Sequence, residues 1–267
     1  MDSVLNHYFV CACSFTDLNK MILPKVSNQA SPEDVVKELN RNGIVVIEDF
    51  CQNVESLKKE GLRILDEMGG ASEYKFGRYA ALRTQKEVAK HPILHSYFTQ
   101  PFIKETATAF MGEKHYLLNA LYITQEYNAT EDLANNGHPH FDQDWSFKFF
   151  LYLTDVDEDS GAFKCIPGTA QKGKELREKS HKEVKKIPNI KNRILRDYED
   201  LGFTLDDFIP VEGKAGTLII FDSDTFHFGG NIKEGRERMV MRSHNTKESS
   251  SDLLSKMKKA FSGLINT

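Results

Sequence analysis

The 267-residue chain has no apolar run of membrane-spanning length, so no transmembrane span is expected. It has no basic excess either. Its 35 Lys and Arg stand against 39 Asp and Glu, a formal net charge of −4. That argues against a nucleic-acid binder, which needs cations to replace the counterions of a phosphate backbone. Cysteine is sparse: Cys11, Cys13, Cys51 and Cys165 form neither a CxxC pair nor the framework of a small secreted domain. Reduced thiols in a cytoplasmic protein are the expectation. Internal repeats and low-complexity segments are missing. The opening MDSVLNHYFVCACSF lacks a basic leader and is broken by Asn6 and His7, so residues 1–30 read as an N-terminal extension and not as a signal peptide.

What remains is the composition of an ordinary globular protein, 40% hydrophobic and 28% charged, with the length of one large domain. SPEDVVKELNRNG reads as a helix: Ser31 as N-cap, Pro32 at its first position, Asp34 closing a capping box and Gly43 ending it in the left-handed region. Ile44 to Ile47 follow as a buried strand. NVESLKKEGLRILDEMGG is a second helix, with Asn53 as cap, Val54, Leu57, Gly61, Leu65 and Met68 along one side, and a Gly-Gly stop. A third helix, QPFIKETATAFMG, ends at Gly112.

Beyond it the pattern changes to short aromatic or β-branched strands at 116–124, 147–154, 162–166, 216–222 and 238–244. Helices first and strands afterwards, without βαβ alternation, indicate an α+β domain over 31–248 with a mainly β core of sandwich or barrel type. A basic, helix-like insert interrupts the strands at 171–209. The tail at 249–267 carries Leu253, Leu254, Met257, Phe261 and Leu264 at the spacing of a docked C-terminal helix.

The chemistry is concentrated in NNGHPHFDQDWSFKF, residues 135–149. On an extended segment, residues two apart share a face, so His140 and Asp142 converge while Phe141 points away. A third ligand must come from elsewhere, and His227 in FDSDTFHFGGN is the candidate. Two imidazoles and one carboxylate on one side of an ion suit non-haem Fe(II) and oxygen chemistry, although Zn(II) accepts the same ligands. Eleven residues after His227 stands Arg238, whose planar fork suits a carboxylate. A cupin-type alternative would use His138, His140 and Asp144. It places Pro139 between two ligands on a strand, where proline fits poorly, and leaves Arg238 without a role.

The order HFD (140–142), LTDVDEDSGAFKCIPGTA (153–170), then His227 with Arg238 eleven residues on, resembles the phytanoyl-CoA dioxygenase family of Fe(II)/2-oxoglutarate oxygenases. NRNGIVVIEDF and YFTQPFIKETATAFMG fit the family's opening, and the resemblance spans residues 33–245. It implies a double-stranded β-helix (a jelly-roll, cupin-like core) with helices packed outside. It also implies Fe(II) on His140, Asp142 and His227, with Arg238 pairing the distal carboxylate of 2-oxoglutarate. Thr124, Leu121, Phe150 (often Trp in the family) and Arg83 are the further cosubstrate contacts it suggests. O2 is the second cosubstrate, and succinate and CO2 are released as a substrate C–H bond is hydroxylated, desaturated or cyclised. The carboxylate at Asp142 argues against halogenation, because related halogenases carry a small residue there to admit chloride. Two departures stand out. Gly229 replaces a frequent serine, so Thr124 or Thr217 would have to donate in its place, and Phe141 replaces a frequent glutamine.

Trp145, Phe147, Arg78 and Tyr79 are candidates to line a substrate entrance. The insert's Lys172, Lys174, Arg177, Lys179, Lys182, Lys185 and Lys186 suggest a lid for a small anionic molecule. Glu175, Glu178 and Glu183 are interleaved with them, as on a solvated helix. The expected partner is a small-molecule substrate, and no motif speaks to oligomeric state. A non-catalytic jelly-roll binding module is the remaining alternative. Such a module would be expected to have lost a histidine, the aspartate or the arginine, and all four are present.

Overall fold

Ser31 starts the first helix as its chemistry demands. In the computed structural model its hydroxyl accepts from Asp34 N–H at 3.2 Å while Asp34 accepts from Ser31 N–H at 3.4 Å. Helix α1 (Pro32–Asn42) ends at Gly43, whose φ of 72° is open to glycine at little cost and whose N–H returns to Leu39 O at 2.7 Å. The structure describes residues 22–68, 77–112, 115–127, 138–142, 144–184 and 202–247, without the side chains of 115–119 and 180–184. The N-terminal residues with Cys11 and Cys13, the Gly69–Gly70 stop, insert residues 185–201 and the C-terminal helix expected at 249–267 lie outside them.

The second helix, α2 (Val54–Glu67), begins at Asn53, but the Asn53 side chain accepts from the Ser56 hydroxyl at 2.8 Å and caps no backbone N–H. Leu57, Gly61, Ile64 and Leu65 form its buried side. Met68, expected on that side, is 53% exposed because the helix has already ended. Two short helices, α3 (Gln85–Val88) and α4 (Pro92–Phe98), precede α5 (Pro101–Met111), which stops at Gly112 as expected. Helix α6 (Ala170–Val184) opens the insert.

The strands are β1 (Lys25–Val26), β2 (Ile44–Ile47), β3 (Gly77–Leu82), β4 (His115–Tyr127), β5 (Phe147–Tyr152), β6 (Phe163–Cys165), β7 (Ile209–Val211), β8 (Leu218–Asp222), β9 (His227–Gly229) and β10 (Glu237–Lys247). They make a seven-stranded sheet, β1-β2-β8-β5-β10-β4-β3, and a three-stranded sheet, β7-β6-β9. Successive side chains on a strand face opposite ways, and both faces of the large sheet are buried. Leu121, Phe147, Phe149, Ile220 and Met241 pack under the helices, against Val35, Leu57 and Ile103. Val46, Phe150, Tyr152, Ile219 and Val240 face the small sheet's Phe163 and Val211. Each such side chain, fully buried, contributes about 1.5–3 kcal/mol. The result is the expected jelly-roll core with helices on one outer face, and its interior between the sheets is where the site lies.

Candidate metal centre

The end of β8 sets up the site. Asp222 O accepts from Thr225 N–H at 2.9 Å, turning the chain into β9 so that His227 enters the sandwich. His140 joins this edge through a two-residue bridge with His227, and Asp142 N–H donates to Ser223 O at 3.0 Å. The HFD segment is thus held extended by the loop and strand opposite it. Phe141 turns away, as expected, into a cluster with Phe226 and Ile166.

Both imidazoles are fixed by the same device. His140 Nδ1 lies 2.7 Å from His138 O, and His227 Nδ1 lies 2.6 Å from Thr225 O. A carbonyl can only accept, so each ring carries its proton on Nδ1 and presents the Nε2 lone pair to the centre. The Nε2 atoms of His140 and His227 stand 3.9 and 3.6 Å from Asp142 Oδ1. One ligand atom from each residue lies within 4.8 Å of the others. His227 is buried and the other two are half-buried, which leaves one side of the cluster accessible.

The electrostatics agree with ligation. Burial, with His227 adjacent, pushes His140 down to about 3, so its ring stays neutral at ordinary pH. Burial alone would raise the Asp142 carboxyl, but the ammonium of Lys148 and the two imidazoles hold it well below the usual range. Lys148, from β5, is ion-paired to Asp142 Oδ2. Neutral rings and an ionised carboxylate are the forms that bind a divalent cation, and two nitrogens with one oxygen suit a first-row ion held on one face. The cupin-type set does not assemble: His138 and Asp144 are exposed, and His138 contributes only its carbonyl.

The other expected site residues divide by strand face. Arg238 lies inside the sandwich, where Nε and Nη2 donate to Glu126 Oε2 at 2.9 and 2.6 Å and Nη1 donates to Gly161 O. Thr124 is inside too, 3.5 Å from Val240 O, and the buried Thr217 hydroxyl has no hydrogen-bond partner. Phe150 packs on Phe221 and Phe163 with ring centroids at 4.9 and 5.8 Å, and those two rings flank His227 at 5.2 and 5.4 Å. Tyr79 stacks on Tyr122 at 5.9 Å.

Five of the expected residues lie outside the interior between the sheets. Leu121 faces the helices. Phe147 stacks on Phe110 at 4.5 Å on that same side. Arg78 pairs with Asp66 of α2. Trp145 packs against the helix-side core and donates to Asp222 Oδ1 at 2.8 Å. Arg83 is exposed beyond the end of β3. For Leu121, Phe147 and Arg78 the physical reason is strand parity, since one residue of displacement moves a side chain to the opposite face, whereas Trp145 and Arg83 lie outside strands β5 and β3.

Parity also brings in residues the motifs did not flag: Lys148, Glu126, Arg242 and His244. Their signal was present in FKFFLY and ERMVMRSHNTK, where taking Phe150 and Arg238 as inward makes 148, 242 and 244 inward as well. Helix α6 is docked here and does not hang free. Arg177 Nε and Nη2 clasp Asp224 at 2.6 and 2.9 Å, and Asp224 is 1% exposed. Arg177 therefore steadies the loop that carries His227.

Comparison with known proteins agrees with this centre. The family model described as phytanoyl-CoA dioxygenase matches residues 39–240. Uncharacterised proteins of Mycobacterium bovis and Mycobacterium tuberculosis are each 23% identical over 245 residues, covering 85% of this chain and 80% of theirs. Among solved structures, the non-haem α-ketoglutarate-dependent carbocyclase SnoK superposes with a TM-score of 0.56 at 20% identity, covering 82% of this chain and 86% of that one. The epimerase SnoN, in complex with Fe3+, α-ketoglutarate and nogalamycin RO, gives 0.58 at 14% identity, with 81% and 83% covered. EctD from S. alaskensis gives 0.54 at 14%, with 86% and 82% covered. No helix among the described residues is long and apolar enough to cross a membrane.

Proposed function

The chain belongs to the phytanoyl-CoA dioxygenase family, as an Fe(II)- and 2-oxoglutarate-dependent oxygenase, and we propose that it oxidises an unactivated C–H bond of a small, anionic organic substrate. The outcome is hydroxylation, or desaturation or cyclisation, with release of succinate and CO2. His140 Nε2, His227 Nε2 and Asp142 Oδ1 hold the iron. Bound there, the metal supplies oxygen activation coupled to decarboxylation of the keto acid. Neighbours of this fold described as a carbocyclase and an epimerase support keeping outcomes other than hydroxylation in view.

The chain's own side chains do the positioning. The Nδ1–H bonds to the carbonyls of His138 and Thr225 hold each ring in its ligating tautomer. Lys148 holds the second oxygen of Asp142, so Oδ1 is the one turned to the imidazoles. Phe150, Phe163 and Phe221 form an apolar wall that keeps water from the inner side. Arg238 receives the distal carboxylate of 2-oxoglutarate, with Glu126 fixing the guanidinium's orientation. The buried Thr217 hydroxyl, with Thr124 across the interior, supplies the donor that Gly229 lacks.

The observation that carries this reading is that both histidines are locked with Nε2 directed at one carboxylate oxygen. Its test is anaerobic titration of the protein with Fe(II) and then 2-oxoglutarate, following the visible charge-transfer band of the chelated keto acid. The band is expected in the wild type, absent in His140→Ala and weakened in Arg238→Met. Iron bound with no band in the wild type would overturn the cosubstrate assignment.

A further inference from the structure

Among the described residues the inner face of the large sheet carries three cationic side chains, and their surroundings differ. Lys148 has Asp142, and Arg238 has Glu126. Arg242, four residues beyond Arg238 on the same face of β10, is reached by no carboxylate among the described residues. Its guanidinium carbon lies instead over the rings of Tyr122 at 5.6 Å and Phe150 at 5.7 Å, the residues opposite it on β4 and β5. Its Nε is buried without a hydrogen-bond partner.

His244, the next inward residue of β10, repeats the pattern. Its ring sits 4.6 Å from Tyr122, and its Nε2 is buried and unpartnered. Two adjacent polar side chains thus point unsatisfied nitrogens into one interior region. Leaving a buried donor unmade is costly, and more so for a charged group. Cation–π contact returns only part of that cost. A half-buried arginine fork between aromatic rings, its Nε buried and without an anion, is the arrangement of an anion site awaiting its ligand.

The region adjoins the metal centre. Phe150, under Arg242, packs on Phe221 and Phe163, which flank His227. His244 stands directly opposite Lys148, the partner of Asp142. Same-face residues on a strand are about 7 Å apart, so a molecule with one end at Arg242 presents its other atoms beside the metal ligands.

We propose that Arg242, with His244 beside it, is a second carboxylate site inside the sandwich, separate from Arg238. The flanking Tyr122 and Phe150 rings suit a carboxylate attached to an apolar body, which is the chemistry of the anionic substrate in the function proposed above. The inference rests on that function for the site's purpose. The other source of the same group is the distal carboxylate of 2-oxoglutarate, which reaches Arg242 if Glu126 keeps Arg238 engaged.

The test compares wild type with Arg242→Met and Arg242→Lys in two anaerobic titrations. The first follows the charge-transfer band as 2-oxoglutarate is added to the Fe(II) protein. The second measures, by calorimetry, binding of octanoate and of neutral octanamide to the Fe(II)·2-oxoglutarate protein. The expected result is octanoate binding by the wild type in preference to octanamide. Arg242→Met should weaken it about 10- to 100-fold, as for loss of a hydrogen bond to a charged group, and Arg242→Lys should restore part of it. The 2-oxoglutarate affinity should stay unchanged, and the retained band then reports an intact fold. A comparable loss of 2-oxoglutarate affinity would also establish the carboxylate site but assign it to the cosubstrate. If Arg242→Met alters neither titration, the proposal is overturned. A wild type that shows no band but still binds octanoate through Arg242 would sink the oxygenase reading alone.

Discussion

The backbones of His140 and His227 hold each other directly: His140 N–H donates to His227 O at 2.9 Å and His227 N–H donates to His140 O at 2.8 Å. The same two residues bring their rings to a centroid separation of 4.4 Å. One ladder rung therefore joins two distant segments and sets the spacing of their Nε2 atoms. The candidate metal centre is built into the sheet hydrogen bonding and does not depend on a loose loop.

Lys148 and Asp142 form a mostly buried pair beside that rung. Lys148→Met leaves the Asp142 carboxylate without its counter-ion, which in the metal-free protein costs about 3 kcal/mol. Fe(II) supplies positive charge to the same carboxylate and offsets part of the loss. The midpoint of thermal unfolding should thus fall further in the metal-free variant than in the Fe(II)-loaded one. Equal falls in both forms would show that Lys148 does not act through Asp142.

Gly173 of α6 lies so close to the loop before His227 that an added Cβ would sit 1.8 Å from Asp224 O. That neighbour is backbone and cannot step aside. Gly173→Ala should destabilise by about 1–3 kcal/mol or more, and Arg177→Met, which strands a buried Asp224, by about 3–5 kcal/mol. At about 2–4 °C per kcal/mol both are visible in thermal unfolding. Both should also weaken Fe(II) binding, because the disturbed loop carries His227. Unchanged metal affinity in a destabilised variant would remove α6 from any role in holding the site.

Trp145, the chain's one tryptophan, donates to Asp222 Oδ1 and so reports on it. Burial, with the Asp224 charge nearby, raises the Asp222 carboxyl to about 6, against opposition from the Asp224 N–H and the indole. The folded state therefore holds a proton that the unfolded state releases near pH 4. Stability from this group is full below about pH 4 and is lost as pH rises through about 6. Trp145 fluorescence should titrate with a midpoint near 6, and Asp222→Asn should abolish that step and flatten this part of the stability profile. A step that persists in Asp222→Asn belongs to another group.

Much of the site was legible because its signals are local. The HFD triplet places two ligands on one side of any extended segment, and His227 directly follows a strand ended by turn residues. The capping box at Ser31 and the left-handed Gly43 likewise depend on a few neighbouring residues, and they appear as read. Asn53 occupies the N-cap position as read, although its side chain bonds Ser56 and caps no backbone N–H, and Met68 is exposed because one residue at a helix end decides which side chains are buried.

Strand faces were not legible. In FKFFLY every residue of β5 is buried, since helices cover one side and the small sheet the other. Hydrophobic alternation, the usual guide to which side faces in, is erased when both sides are apolar. That is why Phe147 reads as a candidate for the substrate entrance and Leu121 as a cosubstrate contact, while Lys148 carries no mark of its own. Sequence alone determined the ligand chemistry, the first helix and strand, and the jelly-roll class that the resemblance implied. Only the tertiary structure decided which carboxylate meets which cation, Glu126 with Arg238 and Asp142 with Lys148, while Arg242 is left between two rings. Those pairings join strands distant in sequence, and their register is set by the packing of the whole sandwich and by no single segment of it.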